Sequence, residues 1–196
     1  MNIKPVPDSD LARAAEKLVL EVSTRSMVNH CVRTYRFGET LGMKHALKPD
    51  WEVLYIASLL HDLGLEAPYD GPGDFETNGA AAAERLLLAA GASDRTASLV
   101  RSAIDIHTQL IAAEDERPEV KLLHLGAMVD AIGSGLDQIP NDVVAQILHE
   151  SPRLAWKSVV AALVAKQIAA KPDCRAAVVE RRFSFLDRIR NAPFPE

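Results

Sequence analysis

A chain of 196 residues with 48% hydrophobic and 25% charged side chains has the length and balance of one globular domain with a sizeable core. Its 22 Lys and Arg against 27 Asp and Glu leave a formal charge of −5, which excludes the broad basic footprint of a nucleic-acid binder. Cys31 and Cys174 form no CxxC pair, MNIKPVPDSD has no apolar signal core, and no stretch approaches the ~20 apolar residues of a membrane span. Neither a disulfide framework nor a membrane anchor is expected, and the cytoplasm is the expected address.

Helix formers dominate, with few aromatics and few β-branched runs. Residues 1 to 8 carry two prolines and predict an extended lead-in. Ser9 then predicts the cap of a helix over Asp10 to Val22, with Leu11, Ala14, Ala15 and Leu18 on one stripe. A second helix, about Ser26 to Leu41 and closed by Gly42, repeats Met27, His30, Thr34, Phe37 and Leu41 at steps of three and four. His30 therefore lies on an apolar face, and Arg33, one turn on, reaches either the same cavity or the surface; Arg36 lies nearby.

The stretch WEVLYIASLLHDLGL, residues 51 to 65, predicts a third, mostly buried helix. Asp50 is placed to cap it and Glu52 to favour its first turn, while Gly64 is expected to leave it in the left-handed conformation. His61 and Asp62 thus stand together at the end of a buried helix, where a charge is costly unless paired or metal-bound. Residues 65 to 78, rich in Gly, Pro and Asp, predict a loop that leaves directly from this pair and forms a wall or lid. Its available chemistry is Glu66, Tyr69, Asp70, Asp74, Phe75 and Glu76.

An alanine-rich helix over Gly79 to Ala90 and a Ser93-capped helix to about Thr108 follow. The second carries Val100, Ala103, Ile104 and His107 on one stripe, a second histidine near a helix end. Beyond a charged connector, Glu119 to Leu136 predicts a helix whose Gly126, Ala127, Asp130, Gly133 and Ser134 make a seam of small residues with one carboxylate. On that seam Asp130 needs a partner, either a cation or a metal. His124, about 120° around the helix from Asp130, is not expected to join it. A short helix from Pro140–Asn141 to Glu150, one started by Ser151–Pro152 and running through Trp156 to Ala170, and a last one to Ile189 complete the chain. The fold expected is an all-α bundle in one domain, residues 1–196, with a metal-site core about 25–140 and C-terminal helices about 141–190 packed on it.

His30, His61, Asp62 and Asp130 come from three core-facing helices and combine two imidazoles with two carboxylates. Such a set suits one divalent transition metal better than Ca or Mg. Zinc is expected first; iron, manganese or nickel would accept the expanded shell that four protein ligands plus water require.

The order His30…His61-Asp62…Asp130 resembles the HD superfamily of metal-dependent hydrolases, whose fold is a helical bundle. NHCVRTYRFG at 29 to 38 and LYIASLLHDLG at 54 to 64 extend the likeness. FETNGA at 75 to 80, IDIHT at 104 to 108, SPRLAWK and KQIAAKP are similar to its cyanamide hydratase branch. The resemblance spans roughly residues 25 to 172. It implies a metal-dependent hydratase in which metal-activated water attacks a small nitrile-like substrate, cyanamide giving urea, with Asp62 or Glu76 relaying protons. Two departures matter. Leu65 stands where phosphohydrolases of the superfamily often carry a phosphate-steadying Lys, leaving Arg33 or Arg36 to substitute. His107 has no adjacent histidine of the kind dinuclear members use, which favours one metal and leaves His107 as a catalytic or second-metal residue. The alternatives are a phosphohydrolase of a nucleotide or small phosphate ester and a non-catalytic metal-binding regulatory module; a di-iron oxygenase is disfavoured by the shortage of ligands. The expected partner is a small molecule, and a homo-oligomer is compatible with everything in the sequence.

Overall fold

The computed structural model describes residues 5–196; Met1 to Lys4, the start of the predicted lead-in, lie outside the described residues. Ten α-helices and no strand occur among them. In chain order these are α1 (Asp10–Val22), α2 (Arg25–Lys44), α3 (Trp51–Leu60), α4 (Phe75–Ala89), α5 (Asp94–Ile106), α6 (Pro118–Ile132), α7 (Asn141–Glu150), α8 (Trp156–Ala170), α9 (Arg175–Phe183) and α10 (Phe185–Arg190). The all-α class follows from the composition. Local chemistry sets several starts: Ser9, Asp50 and Ser93 each accept backbone N–H groups at the first turns of α1, α3 and α5. No helix among the described residues is long and apolar enough to cross a membrane.

Packing, rather than local signals, sets the other boundaries. Gly42 does not end α2, which runs two residues further; a Cβ there would meet the Leu122 and Trp51 side chains. The helix predicted to reach Leu136 stops at Ile132, because Gly133 takes the left-handed conformation (φ 75°) and closes α6. Ser151–Pro152 do not begin a helix. They form an extended strap whose carbonyls accept from Arg33 and Asn29, and α8 begins only at Trp156. The predicted last helix is broken by a left-handed Ser184 into α9 and α10.

Two apolar clusters form the interior. The larger is built from α1 to α7, with Phe37, Leu41, Leu54, Ile56, Leu60, Val100, Ile104 and Leu122 fully or almost fully buried. The smaller gathers Met27, Leu65, Phe75, Ala131, Trp156, Val160 and Val164 under α8 to α10. The junction of the two clusters carries the buried polar side chains described below.

The crossing of α2 and α6 positions that junction. A Cβ on Gly126 would lie 2.2 Å from the Thr34 carbonyl oxygen and 2.9 Å from the Gly38 nitrogen, so the two backbones touch there. Within the small-residue seam Gly133, past the end of α6, faces Pro193, and it is Gly126 that makes this contact. One turn further along, the close approach sets Asp130 against His30 and Arg33. Gly126→Ala is expected to force the helices apart and to destabilise the protein by about 3 kcal/mol, at the upper end of overpacking costs. Urea unfolding measures it, and a loss below about 1 kcal/mol would show that the crossing tolerates a methyl group.

Candidate metal centre

His61 and Asp62 follow the last turn of α3, and His107 follows the last turn of α5. Their helices therefore point C-terminal ends, the negative poles of the helix dipoles, at one place, which favours a cation. Both histidines fold back in the same way: Nδ1–H of His61 donates to the Ser58 carbonyl (2.8 Å) and Nδ1–H of His107 to the Ile104 carbonyl (2.6 Å). Each carbonyl belongs to the last turn of its own helix, and the Ile104 carbonyl also accepts the backbone N–H of His107. His30 on α2 donates Nδ1–H to Asp130 Oδ2 (2.6 Å), and His124 on α6 donates Nδ1–H to the His107 carbonyl (2.7 Å). A carbonyl or carboxylate at Nδ1 compels the proton onto that nitrogen. In their neutral forms all four imidazoles therefore present Nε2 as a lone pair.

Three of these acceptors converge. His30 Nε2 and His61 Nε2 are 3.1 Å apart, and each is 3.4 Å from Asp62 Oδ2. Two lone pairs and a carboxylate oxygen facing one another, with no donor among them, repel unless a cation or proton lies between. Metal–ligand bonds of about 2.1 Å in a tetrahedral shell put ligand atoms about 3.4 Å apart, so the spacing fits a divalent transition metal. Asp62 Oδ1 remains outside this triangle, 3.8 Å from His107 Nε2. The surroundings act on the ligands in opposite senses. Burial lowers the pKa of His61; for His30 the burial effect is outweighed by Asp130 and Asp62, which raise it. Burial acts to raise the Asp62 carboxyl, but the neighbouring imidazoles hold it well below the usual range.

The structure brings His30, His61 and Asp62 together and does not bring Asp130 into their cluster. Asp130 lies behind His30, and its oxygens are engaged by three cationic or donor groups: His30 Nδ1, Arg33 Nε and Nη2 (2.7 and 2.8 Å), and Arg153 Nη1 (2.9 Å). Arg33 is wholly buried and also donates to the Ser151 carbonyl, so its guanidinium serves this knot rather than a ligand space. Arg36 pairs with Glu39. Arg153 and Trp156, which the sequence offers only within SPRLAWK and without a role at the site, complete the wall: the indole stacks on His30 at 4.3 Å, and Arg153 lies over the indole at 4.8 Å. Cys31 is a buried member of the larger apolar cluster.

A small cavity of about 40 Å³ opens at the three ligand atoms, walled by His107, Leu65, Phe75 and Trp156 among others. Among its described lining residues there is neither Lys nor Arg. The stretch predicted as a lid is more ordered than expected, since Phe75 and Glu76 open α4. Gly64 is not left-handed; its role is close approach, a Cβ there falling 1.9 Å from the Phe75 carbonyl oxygen. That contact sets the first turn of α4 beside His61 and Asp62. Glu76 is buried, accepts a hydrogen bond from Thr108, and leaves its Oε2 without a partner. Burial pushes its carboxyl up to about 7.

Two outcomes follow. Asp130→Asn removes the anion that holds Arg33 and Arg153 and turns an amide N–H₂ towards donors, so it is expected to cost about 3–5 kcal/mol in urea unfolding; a cost under 1 kcal/mol would contradict the knot. For Glu76, the folded value of about 7 lies above the unfolded value of 4.5, so the native state holds a proton that the unfolded state releases. Its stabilising contribution is complete below pH 4.5 and is lost as pH rises through 7. Glu76→Gln, which cannot ionise, should therefore gain about 3 kcal/mol relative to wild type between pH 4 and pH 8. A pH-independent difference in the two unfolding curves would exclude this.

The model of the HD domain family matches residues 27–156. Two cyanamide hydratases of Saccharomyces cerevisiae, DDI2 and DDI3, are each 28% identical over 175 residues, covering 87% of this chain and 78% of each relative. The matched region runs from the start of α2 to the start of α8 and contains His30, His61, Asp62, His107 and Asp130. With a helical bundle that holds the His-Asp pair at a helix end beside a third ligand from α2, the chain belongs to the HD domain family.

Proposed function

We propose that this protein is a metal-dependent hydratase that adds water to a small nitrile-type group, as the cyanamide hydratases named above do to cyanamide. The observation that carries the reading is the convergence of three acceptors, His30 Nε2, His61 Nε2 and Asp62 Oδ2, on a cavity with no cationic side chain in its described lining. A phosphate ester in such a cavity would have the metal but no Lys or Arg side chain on the described lining to steady its remaining charge. Arg33, the nearest substitute for a phosphate-steadying lysine, is spent on Asp130 and the Ser151 carbonyl. An uncharged, linear nitrile is the better fit.

In this reading His30, His61 and Asp62 hold one divalent metal, zinc first, with iron, manganese or nickel as alternatives. Such an ion, when bound, lowers the pKa of water towards about 7 and supplies hydroxide at neutral pH. Asp130 acts as the positioning residue of His30: by accepting Nδ1–H it fixes the tautomer and aims Nε2 forward, and Arg33 and Arg153 hold Asp130 in turn. The free oxygen of Asp62 faces His107 Nε2 at 3.8 Å, so these two acceptors orient the O–H groups of the incoming water. The nitrile nitrogen needs protons as the C–O bond forms. Glu76, protonated near neutral pH and hydrogen-bonded to Thr108 in the cavity wall, is the donor.

Metal content measured by elemental mass spectrometry should be close to one ion per chain, and His61→Ala should lose both the ion and at least 100-fold of urea release from cyanamide. Urea formation that survives His61→Ala undiminished would sink the metal-hydratase reading; phosphomonoesterase activity in wild type without urea formation would replace it with the phosphohydrolase alternative.

A further inference from the structure

The cavity at the ligands, about 40 Å³, has room for a few waters or a small head group and no more. Directly beside it lies a second cavity of about 280 Å³, and the two share Phe75, Thr108, Met128, Val164 and Phe185 as common walls. The larger one extends between α6, α8, α9 and α10, where Ile132, Ala176, Val179 and Phe183 add to an apolar lining. A substrate as small as cyanamide has no use for this space. The lining is not uniformly apolar, however. Glu76, Ser134 and Arg188 lie on it, and so does His124, with Nδ1 tied to the His107 carbonyl and only Nε2 left to interact.

We infer that the substrates of this chain are nitriles bearing an apolar, ring-sized substituent, of the N-aryl cyanamide type, with the C≡N group at His30, His61 and Asp62 and the substituent in the cavity between α6 and α8 to α10. The inference rests on the hydration reading for the reacting end and on the second cavity for the rest of the molecule. The reaction is balanced by water alone. A C–O bond forms at the nitrile carbon as one π pair moves to nitrogen; both protons of the water finish on that nitrogen, and R–NH–C≡N becomes R–NH–CO–NH₂. No oxidant or reductant takes part. His124, with Nε2 unspent, is placed to accept from the N–H edge that joins substituent to head group, while Phe75, Met128, Val164 and Phe185 enclose the ring.

The product-like pair phenylurea and urea tests this by isothermal titration on the full chain, in chelator-treated and zinc-loaded forms. Phenylurea should bind at least tenfold more tightly than urea in both forms. Val179→Phe and Ala176→Phe, which fill the cavity from two positions on α9, should each remove at least tenfold of phenylurea affinity with the helical circular dichroism retained. Equal binding of the two ureas by wild type, which needs no variant to interpret, would overturn the inference; so would phenylurea affinity surviving in both filled variants. Cyanamide turnover, assayed in parallel, reports on the hydration reading by itself. Turnover of cyanamide without a phenylurea preference overturns only the substituent site, and tight, cavity-dependent phenylurea binding without any turnover supports the substituent site while removing the hydration reading.

Discussion

The buried carboxylate of Asp130 is the point on which the rest of the site depends. It is fully enclosed and draws His30 and Arg33 from α2 and Arg153 from the strap before α8 onto one helix, α6. Burying an anion with two guanidinium groups repays its desolvation only if the hydrogen bonds are well formed, and here both oxygens are doubly engaged. Burial acts to raise its pKa, yet Arg33 and His30 hold the carboxyl far below the ordinary carboxylate range. The same knot decides how His30 faces. With Nδ1 committed to Asp130 on one side and the Trp156 indole stacked on its ring, the imidazole has only Nε2 left to offer.

That pattern recurs around the centre and gives it a single chemical character. His61 and His107 are anchored by their own helix ends, so three imidazoles from three helices all present lone pairs in a pocket whose other charged group is Asp62. The site is rich in acceptors and poor in donors. It suits a cation at its centre, and the nearby Arg33 is committed to Asp130 and the Ser151 carbonyl.

The second cavity depends on a different part of the chain. α9 and α10 meet at a left-handed Ser184, and that kink lets Phe183 and Phe185 flank the space from both sides. The closeness of Gly64 to Phe75 sets the other wall and places Glu76 within the same space. Site and cavity are thus joined by α4, whose first turn contributes Phe75 to both.

The amino-acid sequence by itself determined the helices that local chemistry can specify. The caps at Ser9, Asp50 and Ser93, the apolar stripe that turns His30 inward, and the His61-Asp62 pair at the end of a buried helix are all readable from spacing, because each depends on residues within a turn or two. The sequence also carries the family, through motifs that survive at a distance. Only the tertiary structure decided what Asp130 touches: a buried carboxylate reads the same whether it faces a metal or a pair of arginines, and Arg153, from a segment that resembles a helix start, became its partner through packing alone. Glu76 was visible as an acidic residue in a loop, but its burial, its Thr108 partner and its raised pKa arise from α4 docking on the turn at Gly64. The reason is the same in both cases. A pairing between residues more than 20 positions apart leaves no periodic trace in the chain, and whether a charged group ends beside a metal, a counter-ion or an empty cavity is settled by which helices come into contact.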